Sequence, residues 1–276
     1  MSKQPREGIN VSKTHPLVEA GTLVVGLGII FALLTIALIF LVEIVLHFIP
    51  VEAEKRLFSN WLPDDIVTVA PYDERLVATQ ELVDSLARHW PDSPYKFTVE
   101  IHDSEAPNAM AIPGGLIVVT KGLLDEVESE NELAFILGHE LGHFQNRDHL
   151  RALGRVAVLS LVFAANPGDI NMTVADLTLR SYGRKQESRA DIYGLQLVQS
   201  RYGHVAEAWR LFERWDEKAQ SPEVLEYLST HPNSANRIDN LRDLSNSEGW
   251  PLQGDVQPLP WMATLMTLPP ADADRE

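Results

Sequence analysis

The chain has no cysteine among its 276 residues. That excludes disulfides, thiol nucleophiles and cysteine metal sites, although the absence suits an oxidising or a reducing compartment equally well. Basic residues are scarce too. Lysine and arginine number 23 against 39 aspartates and glutamates, a formal net charge of −16. Nucleic-acid binding calls for basic surface, so this balance argues against a nucleic-acid partner. No internal repeat is visible, and nothing marks an activated serine. What remains is a length suited to one domain plus appendages and a hydrophobic fraction of 45%, enough for a sizeable core.

The most informative segment is His139-Glu140-Leu141-Gly142-His143. Side chains four apart on a helix share one face. His139 and His143 can therefore aim ring nitrogens at one metal ion, and Glu140, rotated aside, can reach a water on that ion. This is the minimum equipment for zinc-dependent peptide hydrolysis. Helix formation is supported locally: Ser129 and Glu132 have capping-box spacing, and Leu133, Ile136, Leu137 and Leu141 recur at three- and four-residue steps. The pattern stops at Asn146-Arg147-Asp148. It predicts a capped helix with one face in the core and the histidines held in fixed rotamers. The competing reading is a surface helix with two solvated histidines.

A hydrolytic zinc site takes three protein ligands. Downstream, the stretch from about Asp176 to Ser200 reads as a helix ended near Gly203, with Glu187 and Asp191 on one face. Glu187 can be the third ligand. Asp191 can accept a hydrogen bond from the far nitrogen of a ligand histidine and fix its tautomer. A solvated charged face beside Arg184, Lys185 and Arg189 is the alternative. Upstream, Phe97 to His102 and Leu116 to Thr120 are rich in β-branched residues, Pro113-Gly114-Gly115 signals a turn, and Ala109 to Ile112 reads as a short strand beside the helix.

Four groups of residues together resemble the membrane gluzincin family that includes the HtpX-like proteases, the CaaX prenyl proteases and a mitochondrial inner-membrane quality-control protease. They are Asn108 to Gly115 with Leu116 to Leu124; His139 to His143 continued through Gly142-His143-Phe144-Gln145-Asn146-Arg147-Asp148-His149; Glu187-Ser188-Arg189-Ala190-Asp191; and Ser229-Thr230-His231-Pro232 with Arg237-Ile238. The resemblance covers about residues 70 to 245. It implies an α+β, mostly helical, zincin-like domain with a small sheet beside the motif helix. It further implies one zinc ion per chain held by His139, His143 and Glu187, Glu140 as general base, and polypeptide substrates. In that frame Ala109, Met110, Ala111 and Ile112 form an edge strand that pairs with extended substrate. His231 approaches the metal from its open side, either bonding the tetrahedral intermediate or plugging the fourth position, and Arg237 places charge near the developing oxyanion. Tyr182 is a weaker oxyanion donor, better read as a packed aromatic. His89, His102, His149 and His204 lack ligand spacing and read as structural or solvated.

Leu23 to Val42 is an apolar run without charge. About twenty helical residues span the hydrocarbon core, and cleavable signal peptides have shorter apolar regions, so one transmembrane anchor is expected. Lys3, Arg6 and Lys13 before it, against Lys55 and Arg56 after it, are a slight excess that favours the N-terminus inside and the catalytic domain outside, on the periplasmic side of the inner membrane in a bacterium, with a mitochondrial or intracellular placement as the alternative. Ala152 to Ala165, broken by Arg155, is too short to span and reads as a core helix. Amphipathic helices are expected over 73–90, 204–219 and 234–246. The proline-rich tail from Trp250 is expected to be extended along the surface or disordered, and Trp261, Met262, Leu265 and Met266 within it could dock on the domain or a partner. The resulting division is 1–16 N-terminal segment, 17–49 anchor, 50–70 linker, 71–248 metallopeptidase domain and 249–276 tail. An anchored endopeptidase acting on misfolded or membrane-associated proteins, with a regulatory protein partner, is the leading expectation. A latent or vestigial protease acting as chaperone or scaffold is the alternative, and prenyl-peptide processing fits a single span less well.

Overall fold

A computed structural model of the protein describes residues 15–58, 74–152, 154, 182–217, 227, 230–231 and 236–262. Its first element, α1 (Pro16–His47), opens with proline at the first turn, where no amide hydrogen is needed, and with the His15 ring accepting from the Leu17 amide at 3.3 Å. Leucines, valines and isoleucines stand exposed on all its faces, so it has no protein core to cover. It is long and apolar enough to cross a membrane. Near its C-terminal end it meets the domain: a Cβ added to Gly154 would lie 2.7 Å from the side chains of both Val42 and Leu46. After Pro50 comes the short α2 (Val51–Phe58), within the stretch read as linker.

The domain proper starts with α3 (Glu74–Ala87), whose buried face carries Leu82, Val83 and Leu86. Three strands follow: β1 (Thr98–His102), β2 (Ala109–Ile112) and β3 (Leu116–Thr120). Their order is β1-β3-β2, with β3 parallel to β1 (Val99 opposite Ile117) and antiparallel to β2 (Met110 opposite Val118). The central strand is the most β-branched, and Ile117, Val118 and Val119 are fully buried, as a strand covered on both sides requires. The β2–β3 turn needs its glycines. Gly114 and Gly115 have φ of 94° and 90°, and a Cβ at Gly115 would stand 2.6 Å from the Lys96 carbonyl oxygen. β2 is an edge strand among the described residues, with all four side chains buried.

After α4 (Lys121–Glu126), capped by Thr120, comes the motif helix α5 (Glu130–Gln145). Ser129 Oγ accepts from the Glu132 amide at 3.2 Å, as the sequence predicts. The reciprocal arm differs: Glu132 accepts from the Glu128 amide and from Arg214 instead of from Ser129. Burial differs too. A half-buried helix was expected, yet every residue from Asn131 to Phe144 is buried, because sheet, α3 and α6 (Arg184–Tyr202) surround α5. The α5–α6 approach is backbone to backbone. A Cβ on Gly138 would lie 3.0 Å from Gly194 Cα, one on Gly142 2.8 Å from Ala190 Cα, and one on Gly194 2.8 Å from the His139 amide nitrogen. These small residues set the spacing that lets short carboxylates on α6 reach histidines on α5.

α6 starts later than the sequence reading placed it. Tyr182 and Gly183 precede it outside the helix, and Gln186 folds back to accept from the Gly183 amide at 2.8 Å; residues 176–181 lie outside the described residues. Gly203 ends it with φ 76°. Of the helix expected over 204–219, α7 (Arg210–Glu217) forms, while 204–209 make turns that include Glu207 at φ 61°. α8 (Arg237–Glu248) closes on Gly249. The stretch Ala152–Ala165 lies outside the described residues beyond Ala152 and Gly154, as do Leu265 and Met266. The tail does dock. Gln257 accepts from the Glu130 amide and donates to Asn131 Oδ1, both at 2.9 Å, and Leu259 and Trp261 enter the core. The starting end of α5 is thus closed by a residue from near the end of the described chain.

Candidate metal centre

α5 and α6 run against each other so that His139, His143, Glu187 and Asp191 converge in the buried layer between them. His231 enters from the loop before α8, its amide donating to the Tyr227 carbonyl at 2.9 Å. Donor atoms of His139, His143, Glu187 and His231 all lie within 4.8 Å of one another. The Nε2 atoms of His139 and His143 are 3.0 Å apart, and His231 Nδ1 stands 3.2 Å from His139 Nε2. Glu187 oxygens lie 3.5 Å from His139 Nε2, 3.4 Å from His143 Nε2 and 3.4 Å from His231 Nδ1.

Tautomers follow from the outer partners. His139 Nδ1 donates to Asp191 Oδ1 at 2.8 Å, and His143 Nδ1 faces Asp148 Oδ2 at 3.3 Å. A carboxylate only accepts, so both Nε2 atoms present lone pairs to the centre. His231 Nε2 lies 3.3 Å from the Ala109 carbonyl oxygen, which leaves its Nδ1 lone pair inward as well. Three lone pairs and a carboxylate crowded together repel unless a cation sits among them. Ligands about 2.0–2.1 Å from a tetrahedral zinc stand about 3.3 Å apart, close to the separations here. The oxygens of Glu140 and Glu187 are buried, and no well-formed hydrogen bond satisfies them, which also suits a positive guest. Charge balance points the same way. Burial pushes the Glu187 carboxyl up, but the surrounding His231, His139 and His143 rings outweigh it and hold it well below the usual carboxylate range. Burial pulls His139 down, while Asp191 and Glu187 outweigh it and carry it up to about 9.

Glu140 sits beside the cluster, with Oε1 3.7 Å from His231 Nε2. Arg237 lies elsewhere than the oxyanion expectation put it. Its guanidinium bonds Asp191 Oδ1 on the far side of the His139 ring and covers the Phe212 ring at 4.0 Å. Tyr182 is a packed aromatic, its ring stacked on His143 at 3.8 Å and 19°. Met110 and Ile112 pack with Val118, while Ala109 and Ala111 belong to the main core that α5 crosses. His149 and His204 are both buried, in keeping with structural roles.

Asp148 escaped the sequence reading. It is fully buried and also accepts from Gln186 Nε2 at 2.7 Å. A signal existed: two ligand-type histidines need two outer partners, and only Asp191 had been assigned. Tyr227 was missed as well. It stacks on the His231 ring at 4.8 Å and 22°.

Comparison with known proteins places this geometry in context. Residues 75–245 match the model of peptidase family M48. The chain is 30% identical over 197 residues to the mitochondrial metalloendopeptidase OMA1 of Danio rerio, covering 63% of this chain and 41% of that protein. Its human counterpart is 29% identical over 214 residues, covering 69% and 40%. The chain thus spans about two fifths of the length of these mitochondrial relatives. The metalloprotease LoiP of Escherichia coli is 28% identical over 204 residues, covering 67% of this chain and 77% of that protein. The family match takes in the sheet, the H-E-L-G-H helix and the helix bearing Glu187 and Asp191, and on that match the chain belongs to peptidase family M48.

Proposed function

We propose that this protein is a membrane-anchored zinc endopeptidase that cleaves misfolded or membrane-associated polypeptides. The carrying observation is the convergence of three imidazoles and Glu187 within 4.8 Å, with the unpaired Glu140 carboxylate beside them. His139, His143 and Glu187 hold the ion, and zinc is the metal that this nitrogen and oxygen set suits. Bound zinc supplies Lewis acidity and lowers the pKa of water toward about 7. Glu140 takes the proton of the attacking water and passes it to the leaving amine. Asp191 and Asp148 hold the two histidines in the ligand tautomer. Arg237 acts through Asp191, which it pins from behind. The edge strand β2, Ala109 to Ile112, pairs with an extended substrate once its covered edge is freed, a mode that tolerates many side chains. α1 holds the domain at a bilayer, on the periplasmic side in a bacterium, where a regulatory partner has access to it.

Metal analysis beside a peptide-cleavage assay tests this reading. Purified Glu187→Ala is expected to lose its stoichiometric zinc and its activity together, while full zinc occupancy in that variant would remove Glu187 from the ligand set.

One observation favours a latent resting form of the same enzyme. The His231 ring reaches both His139 Nε2 and the Ala109 carbonyl, so it fills the fourth donor position and blocks the start of the substrate edge. In that case His231→Ala raises cleavage of an unfolded protein such as casein several-fold at unchanged zinc content. A fall in activity instead assigns His231 to stabilising the intermediate.

A further inference from the structure

Glu54 lies upstream of the family match, on the helix that follows the anchor, and is nonetheless fully buried. Both of its oxygens are saturated. Oε1 accepts from the Gly114 amide at 2.9 Å and from His149 Nε2 at 2.7 Å. Oε2 accepts from the Tyr95 hydroxyl and from Arg147 Nη2, each at 3.1 Å. A carboxylate offers about four lone-pair sites, and here each meets a donor from another part of the fold. Gly114 is in the turn of the β2–β3 hairpin, two residues past the end of β2. Arg147 and His149 belong to the exit of α5, four and six residues past His143. Tyr95 enters β1, its ring stacked with Phe97 and packed against Phe144 of α5. Arg147 makes its contact from a left-handed backbone at φ 53°, a conformation that residues with side chains adopt only at a cost in strain.

Burying one carboxylate among four donors is a demanding arrangement. Removing it leaves the buried Tyr95 hydroxyl and His149 ring, and the partly buried Arg147 and Gly114 amide, without their shared acceptor. Nothing in the chemistry at His139, Glu140 and Glu187 uses it. What the arrangement does mechanically is tie three things into one body: the first helix after the membrane, the turn that ends the edge strand, and the exit of the metal helix. The glycine turn, with two residues at positive φ, has no side chains of its own to anchor it on that side.

We propose that Glu54 is a positioning residue. Through it, α2 fixes the β2–β3 turn against the exit of α5, so that the seating of the anchor sets where the substrate edge lies relative to the metal. This rests on the reading of β2 as a substrate edge given above.

The test uses the full chain in detergent or nanodiscs, comparing wild type, Glu54→Gln and, as control, Glu52→Gln on the exposed face of the same helix. An amide keeps the shape but turns N–H groups toward donors. For an extended peptide substrate, Glu54→Gln is expected to raise KM about tenfold with kcat within about twofold and zinc content unchanged, the signature of lost uniform binding. Glu52→Gln is expected to match wild type. Amide hydrogen exchange gives a readout independent of activity: in Glu54→Gln, exchange rises over 112–118 and 147–149 and stays at wild-type rates in α6 and α8. Unchanged exchange over 112–118 overturns the proposal, and so does acceleration spread evenly through α6 and α8, which marks general loosening. A kcat loss with zinc loss and unchanged KM also overturns it, since that places the effect on the metal helix alone. Should wild type show no Glu140-dependent cleavage, the endopeptidase reading fails, and the exchange pattern still decides the role of Glu54.

Discussion

Glu140→Gln is expected to slow peptide cleavage about 10²–10⁴-fold, the range that a positioned general base contributes, while zinc content and fold stay as in wild type. The substitution preserves shape and removes only the ability to take a proton. Its structural effect is small for a specific reason. The Glu140 oxygens are buried and accept no hydrogen bond, so no native partner is stranded by the change. A buried carboxylate without donors is itself unfavourable. The metal-free variant should therefore melt at the wild-type temperature or slightly above it. Such a pairing, large loss of activity with equal or higher stability, is what a group kept for chemistry gives and what a group kept for packing does not. Single-turnover cleavage, metal analysis and a thermal melt on the same preparation check all three parts. Cleavage within about threefold of wild type would take Glu140 out of the mechanism.

Asp191→Ala is expected to have the opposite profile, damaging stability and metal affinity together. Asp191 bonds His139 on one side and Arg237 on the other. Burial pushes its carboxyl up, but Arg237 and His139 outweigh that and hold it below the usual range, so it is a committed anion. Its loss leaves the buried Arg237 guanidinium unpaired, a defect that typically costs about 3–5 kcal/mol. It also frees the His139 ring to turn, and loss of such an outer partner lowers metal affinity about 10–100-fold. The two effects separate in the double variant Asp191→Ala/Arg237→Met. Removing the orphan charge should recover much of the stability, and the metal affinity should stay low because His139 still lacks its acceptor. Denaturant melts and zinc titrations give the two quantities. Equal recovery of both would mean that Asp191 acts on the site only through Arg237.

How much of this was legible from residues alone depends on the range of each interaction. The α5 cap at Ser129, the hairpin turn at Pro113 to Gly115 and the stop at Gly203 are local chemistry, and each could be read off a few neighbouring residues. The proximity of Glu187 and Asp191 to the histidines was legible through a chemical requirement, a third ligand and an outer carboxylate spaced for one helix face. Long-range pairings left less trace. The sheet order, with β3 between β1 and β2, depends on a crossover that strand patterns do not encode. The complete burial of α5 depends on glycine-to-glycine packing with α6, and no hydrophobic stripe announces that. The need for a second outer partner was legible, but that Asp148 fills it shows only once the ring of His143 is placed. Glu54 looked like one more charge in a linker, since its four donors lie between 41 and 95 residues downstream.

The closure of the α5 N-terminus by Gln257 bears on the order in which the protein comes into existence. The helix α1 leaves the ribosome before the domain, and the histidine pair follows well before the residues that complete its surroundings. Until Gln257 is made, the Glu130 amide and Asn131 have no such partner, and until Leu259 and Trp261 arrive the core they enter is incomplete. Domains tend to fold as units during synthesis, and here the unit needs a contact 126 residues apart in sequence. A nascent chain therefore carries His139 and His143 on a helix that is still open at one end. The cluster of His139, His143, Glu187 and His231 comes to rest on a closed helix only after nearly all of the described chain has been synthesised.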